Sequence, residues 1–349
     1  MSLFRLGAFV FLVGCASAPE PPPLRVPLDV PLQLSPYAGP ALNISIKEFD
    51  PGVVDAVLMP IRHAEVRYMP VVLKGALIEA GGWGAVRVLP ADDPSAEVLV
   101  AGKIIKSDGV AMSLHVQVKD ATGRQWFSNT YTDYAFEPYE EKPGIRKDPF
   151  YDLYSSVVND INEARSSLSV ADLESVFDTA TLRYAASLSR DAFSEYFLRD
   201  AAGHLQLIGL PARDDAIFAR SERIRESEYG FTDTVDEAYT LFYHEIHQTY
   251  AHWRKYSHEL VLGNALLGVQ ERRRRSWTAA KQSFSTYKES RLNEDALRKM
   301  TDAFDVEVTP TVTSLEGTMI HLSGTLQSRY QEWRDILQDI YAAERAIAR

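Results

Sequence analysis

His244-Glu245-Ile246-His247, with His252 and His258 close behind, is the stretch whose residue types come nearest to chemistry. A zinc-hydrolase helix sets two histidines four residues apart, so that both imidazoles reach one ion and the intervening Glu activates a water. Here the spacing is three and no third ligand is identifiable, so nothing completes a coordination sphere. On the helical pattern around it, His244 lies opposite the apolar stripe, while His247 and His258 share a polar flank. The expectation is a solvated face with no metal and no cofactor. A metal-dependent hydrolase using His244 and His247 is the enzymatic alternative.

The other chemical candidates are surfaces or breakers. Arg272, Arg273, Arg274 and Arg275 form the one basic run. Four consecutive residues point around a helix, so the run reads either as a solvated segment or as a contact for an acidic partner or lipid headgroup through bidentate guanidinium bonds. Gly81, Gly82 and Gly84 follow a helical pattern instead of opening one, the wrong polarity for anion capture. No Gly-x-Ser-x-Gly elbow occurs, and the Asp and Glu residues show no spacing that isolates an acid–base pair. No catalytic residue is assigned.

The only cysteine, Cys15, closes a leader in which Arg5 precedes an apolar run, Leu6 to Val13, too short to span a bilayer. Residues 1–14 therefore read as a secretory signal. Leu12-Val13-Gly14-Cys15 resembles the lipobox of bacterial lipoproteins, and the resemblance implies that Cys15 is acylated and becomes the first mature residue. The residue after the cysteine is Ala16, not Asp, which in that family implies the outer membrane of a Gram-negative cell, facing the periplasm. No other segment reaches the roughly 18 apolar residues of a spanning helix. The membrane contact expected is the lipid alone.

Composition narrows the partners. The chain carries 37 Lys and Arg against 48 Asp and Glu, a formal charge of −11. Loss of Arg5 with the leader leaves the mature chain at −12, the wrong sign for neutralising phosphates, so no nucleic-acid partner is expected. A lone cysteine excludes an internal disulfide.

The elements follow from periodicity. Residues 15–41 are proline-rich and read as an extended tether. Residues 42–136 read as a small α/β domain of order β-α-β-β-β-β: a strand at Leu42, Ile44 and Ile46; a helix with Pro70 in its first turn, ended by Gly81-Gly82; then four strands, the middle pair turned by Asp108-Gly109. Residues 137–149 read as a linker and 150–303 as a helical domain. Its clearest helix is expected to start at the capping box of Thr234 and Glu237 and to bury Val235, Ala238, Tyr239, Phe242, Ile246, Trp253, Tyr256 and Leu260. Residues 304–349 read as a β-β-α unit, with strands at Val306, Val308 and Val312 and at Ile320 and Leu322. Its helix buries Leu326, Tyr330, Trp333, Leu337, Ile340 and Tyr341. The fold class is α+β, without a long internal repeat.

The rhythm from Leu42 to Tyr131 resembles the small α/β domains of periplasmic lipoproteins, namely the ABC-transport auxiliary lipoproteins and the LpoB and TolB amino-terminal type domains. Leu77-Ile78-Glu79-Ala80-Gly81-Gly82-Trp83, Val98 to Gly102, and Val116-Gln117-Val118-Lys119-Asp120 with Gly123 carry the likeness. It implies a docking or assembly module without bond-breaking chemistry. The expected function is a membrane-anchored, non-enzymatic accessory or scaffold with an envelope protein as partner. A carrier or receptor for a small apolar ligand is the alternative, and the hydrolase a third.

Overall fold

The structure is a computed structural model. It describes residues 28–35, 39–54, 58–135, 148–201, 204–212, 215–270, 295–296, 298–299, 301–302, 312–315, 318–322 and 324–347. Cys15, Arg272–Arg275, the expected linker from 137 to 147 and the strand positions Val306 and Val308 lie outside the described residues, as does the side chain of Leu260.

The α/β unit has the order expected. Strand β1 (Ile44–Lys47) is followed by helix α1 (Met59–Ala80), then β2 (Val86–Leu89), β3 (Val98–Ser107), β4 (Ala111–Asp120) and β5 (Gln125–Tyr134). They make one mixed sheet in the order β2-β1-β3-β4-β5, with β1 parallel to both neighbours and the rest antiparallel. Alternation decides the faces: Val98, Val100 and Ile104 of β3 and Met112, Leu114, Val116 and Val118 of β4 are buried beneath the helices. Gly109 in the β3–β4 turn has φ of 79°, and a Cβ there would come within 2.8 Å of backbone atoms of Arg254 and His258. Only glycine meets both demands.

Helix α1 starts eleven residues before the expected position of Pro70, at Met59, with Pro60 in its first turn and Pro70 inside it. A mid-helix proline strands the carbonyl four residues back. That carbonyl is Val66 O, and it accepts from Phe49 N at 3.0 Å. The loop after β1 thus supplies the missing donor, which makes the interior proline tolerable.

Beyond the sheet come α2 (Tyr151–Ser166), α3 (Val170–Leu188), the short α4 (Arg190–Phe193) and a hairpin of β6 (Phe197–Arg199) and β7 (Leu205–Leu207). Helix α5 (Ala216–Gln270) has 55 residues. Thr234 does not start it: its hydroxyl donates to Gly230 O at 3.1 Å, the bond of a threonine inside a helix. Upstream packing of Ile224, Arg225 and Phe231 carries the helix through that point. The hairpin falls inside the region 150–303 expected to be helical, because three-residue strands leave no countable alternation to announce them.

The expected tail is present as β8 (Val312–Leu315), β9 (Thr318–His321) and α6 (Leu326–Ile347). Leu326, Tyr330, Trp333, Leu337 and Tyr341 of α6 are buried, and Ile340 is half-buried. Helix α5 packs against β2, α1, α3 and α6, so one apolar core runs from Leu42 to Tyr341 through the sheet and the helices. The architecture is α+β.

Candidate functional site

The histidines of α5 separate once the fold positions them. His244, Glu245 and His252 are exposed. His247 is half-buried, its Nδ1 2.9 Å from the Tyr68 hydroxyl of α1, and burial lowers its pKa while the Asp148 carboxylate pulls the other way. His258 is buried, and its Nε2 donates to Ala135 O at 3.0 Å. The shared polar flank of His247 and His258 is therefore corrected: α5 turns His258 inward against the residue that follows β5. Among the described residues, no group of three or more His, Cys, Asp or Glu is placed to hold a metal.

The buried charges between α5 and the α/β unit are consumed by one another. Glu65, 1% exposed on α1, accepts from Ser107 Oγ at 2.6 Å and Tyr250 OH at 2.8 Å, and its other oxygen is ion-paired with Arg62, 2.9 Å from Nε. Arg62 reaches on to Pro51 O at 2.7 Å. Arg254 grips Asp148 through both carboxylate oxygens at 2.9 and 3.0 Å, with its guanidinium 4.5 Å from the Tyr250 ring. Tyr68 stacks on Tyr243 at 4.7 Å and tilts against Tyr250 at 4.6 Å. The stripe on α5 is core, as expected for Val235, Tyr239, Phe242, Ile246 and Trp253, with Ala238 and Tyr256 half-buried.

A second seam ties α3 and α5 to the loop between β2 and β3. Glu97 accepts from Asn43 N and from Arg225, each at 2.8 Å, and Arg225 also donates to Thr181 Oγ1 at 2.6 Å and Ser95 O at 2.9 Å. Burial raises the Glu97 carboxyl and the Arg225 guanidinium opposes the rise. Nearby Glu228, 1% exposed, is pushed up to about 7 by burial first and by Asp93 second, against Arg334 and Tyr184. A carboxyl near 7 has the proton affinity of a general acid or base. Glu228 lines neither the groove beside α2 nor the one at Met59 and His63.

The most site-like surface lies on α2. Residues 28–35, expected as free tether, are docked along it. Asn159 accepts from Gln33 N at 2.8 Å and donates to Pro31 O at 3.0 Å, a two-bond grip on an extended backbone. Leu28 N donates to Asp133 Oδ1 at 2.8 Å, Asn162 donates to Gln33 O at 3.1 Å, and Ser35 N donates to Ala80 O at 2.9 Å. Leu28 and Leu32 pack onto the core. Proline removed some donors from the segment, and α2 and its neighbours satisfy others. A groove of about 640 Å³ remains beside it, lined by Val30, Gln33, Leu34, Ser156, Asn159, Asp160, Asn162, Glu163 and Ser166, with no basic residue.

Cys15 and the Arg272–Arg275 run lie outside the described residues. The charged seams and the docking face of α2 were missed in the sequence because their partners are distant in the chain: Asn159 and Gln33 are 126 residues apart, and Glu97 and Arg225 are 128.

No family model matches the chain, and no curated protein matches it. Among solved structures, a PelC dodecamer from Paraburkholderia phytofirmans is similar to 38% of this chain and 97% of its own, at 13% identity and a TM-score of 0.25, too distant to carry an argument.

Proposed function

We propose that the chain is a lipid-anchored, outer-membrane lipoprotein that faces the periplasm and serves as a non-enzymatic accessory or scaffold of an envelope complex. The lipobox ending in Cys15 and the Ala16 that follows support the anchor and the address. The observation that carries the non-enzymatic part is how the reactive side chains are used. Glu65, Glu97, Arg225, Arg254, His247 and His258 each hold one element to another. Their chemistry is spent on joining the helices to the sheet.

Docking of residues 28–35 supports a body held close to its membrane. Only residues 16–27 separate Cys15 from Leu28, about 37 Å at the ~3.1 Å per residue of an extended proline-rich chain. Arg272–Arg275 remains the best contact for an acidic envelope partner. The test is capture by cross-linking in intact cells, with wild-type and Cys15→Ala chains compared after membrane fractionation. The proposal expects an envelope protein that is captured by the wild type and lost with the variant. Wild-type-like membrane retention of Cys15→Ala would overturn the anchor, and turnover of an envelope substrate by the purified chain would overturn the non-enzymatic reading.

A further inference from the structure

The docked segment reads Leu28-Asp29-Val30-Pro31-Leu32, and the four residues before it begin the same pattern, Leu24-Arg25-Val26-Pro27-Leu28. We propose that the face of α2 is a binding site for an extended Leu-x-Val-Pro-Leu peptide and that the chain's own residues 24–28 are a second occupant, one repeat out of register with the docked 28–32.

The contacts on the groove side suit either unit. In the docked register the donors are Leu28 N to Asp133, Val30 N to Asp152 and Gln33 N to Asn159. A shift of four residues brings Leu24, Val26 and Asp29 to those places, and all three keep a backbone N–H. Pro31, which is used only through its carbonyl, is replaced by Pro27, which offers the same group. The two leucines that pack onto the core are replaced by leucines. One bond is given up: Pro31 would stand where Ser35 donates to Ala80 O, and it has no N–H.

Charge at Asp152 favours the shifted register in return. In the docked one Asp29 sits near Asp152, whose pKa is raised by burial and then by the Asp29 charge. The shift replaces Asp29 with Arg25, beside a groove that also carries Asp160 and Glu163 and no basic residue. The like-charge contact at Asp152 becomes an opposite one, while Asp29 takes the place of Gln33 in the groove of Asp160 and Glu163. Slippage would move four residues from the membrane side of the groove to the side leading to β1, shortening the anchor stretch by about 12 Å at ~3.1 Å per residue.

The test uses the full mature chain carrying Cys15→Ala, with one cysteine at Ser156→Cys on the groove wall and a short bismaleimide cross-linker. Val30→Cys reports the docked register, Val26→Cys the shifted one, and Pro22→Cys, which no repeat would seat, the background. Val26→Cys is expected to cross-link at least several-fold above Pro22→Cys, and adding Arg25→Asp is expected to lower that yield several-fold while leaving the Val30→Cys yield unreduced. A Val26→Cys yield at the Pro22→Cys background, with Val30→Cys cross-linking normally, would overturn the second register. A Val30→Cys yield at background would overturn the groove itself. The outcome does not depend on the lipid anchor, which the Cys15→Ala variant lacks.

Discussion

The Tyr68 hydroxyl of α1 lies 2.9 Å from His247 Nδ1 of α5, and this pair turns the most metal-like stretch of the sequence into a helix joint. Its energetic role is modest and measurable. Tyr68→Phe keeps the ring stack on Tyr243 and removes the hydroxyl that bonds His247 and Tyr243, so it is expected to cost about 1–2 kcal/mol by urea denaturation. A loss of several kcal/mol more would show that the hydroxyl supports more than these two side chains.

Glu65 should be far less forgiving. Its carboxylate takes two donors and is the charge partner of buried Arg62, so Glu65→Ala leaves a cation without its counter-charge. The expected loss is about 3–5 kcal/mol. A cost below ~1 kcal/mol in chemical denaturation would contradict the view that this seam holds α1, α5 and the sheet together.

Stability should fall as pH rises from about 4.5 to about 7, because of Glu228. Its folded pKa, about 7, is above its ordinary value of 4.5, so the folded state holds the proton more tightly. The contribution is fully present below the unfolded pKa and is lost as pH passes through the folded one, on the order of 3 kcal/mol for a shift of this size. His247 works in the opposite sense: its lowered pKa makes stability drop as pH falls through the ordinary histidine range near 6.5 and below. Glu228→Gln is expected to remove the loss toward neutral pH and leave the acid-side loss. If thermal melts of Glu228→Gln still weaken between pH 4.5 and 7 as the wild type does, the assignment to Glu228 is wrong.

Much of the α/β unit was legible in the sequence because strands advertise themselves locally. The alternation in β3 and β4, the Asp108-Gly109 turn and the glycine pair after α1 all act within a few residues. Helix starts were less legible. Pro70 reads as a first-turn residue until Phe49 N is seen on Val66 O, and Thr234 reads as a cap until its hydroxyl is seen on Gly230 O. His258 reads as surface because only the fold brings Ala135 O to it. The α2 face was illegible for the same reason, and the four-residue repeat in the proline-rich segment gains meaning only beside it.

Release of the docked segment gives a further check. Asn159→Ala removes two of the three bonds to the 31–33 backbone, one of them from the Gln33 amide, and leaves that of Asn162 to Gln33 O. Hydrogen exchange of residues 28–35 is expected to quicken by about tenfold or more for each ~1.4 kcal/mol of docking lost, while β4 exchanges as before. Unchanged exchange at Gln33 would mean that Asn159 does not hold the segment.

The most direct measurement of the central claim is metabolic labelling with radioactive palmitate, followed by membrane fractionation and envelope cross-linking of the wild-type and Cys15→Ala chains. The account predicts label and outer-membrane recovery for the wild type, neither for the variant, and an envelope protein captured only by the anchored chain. An unlabelled wild type, or a Cys15→Ala chain that keeps the same membrane and the same captured protein, would contradict it.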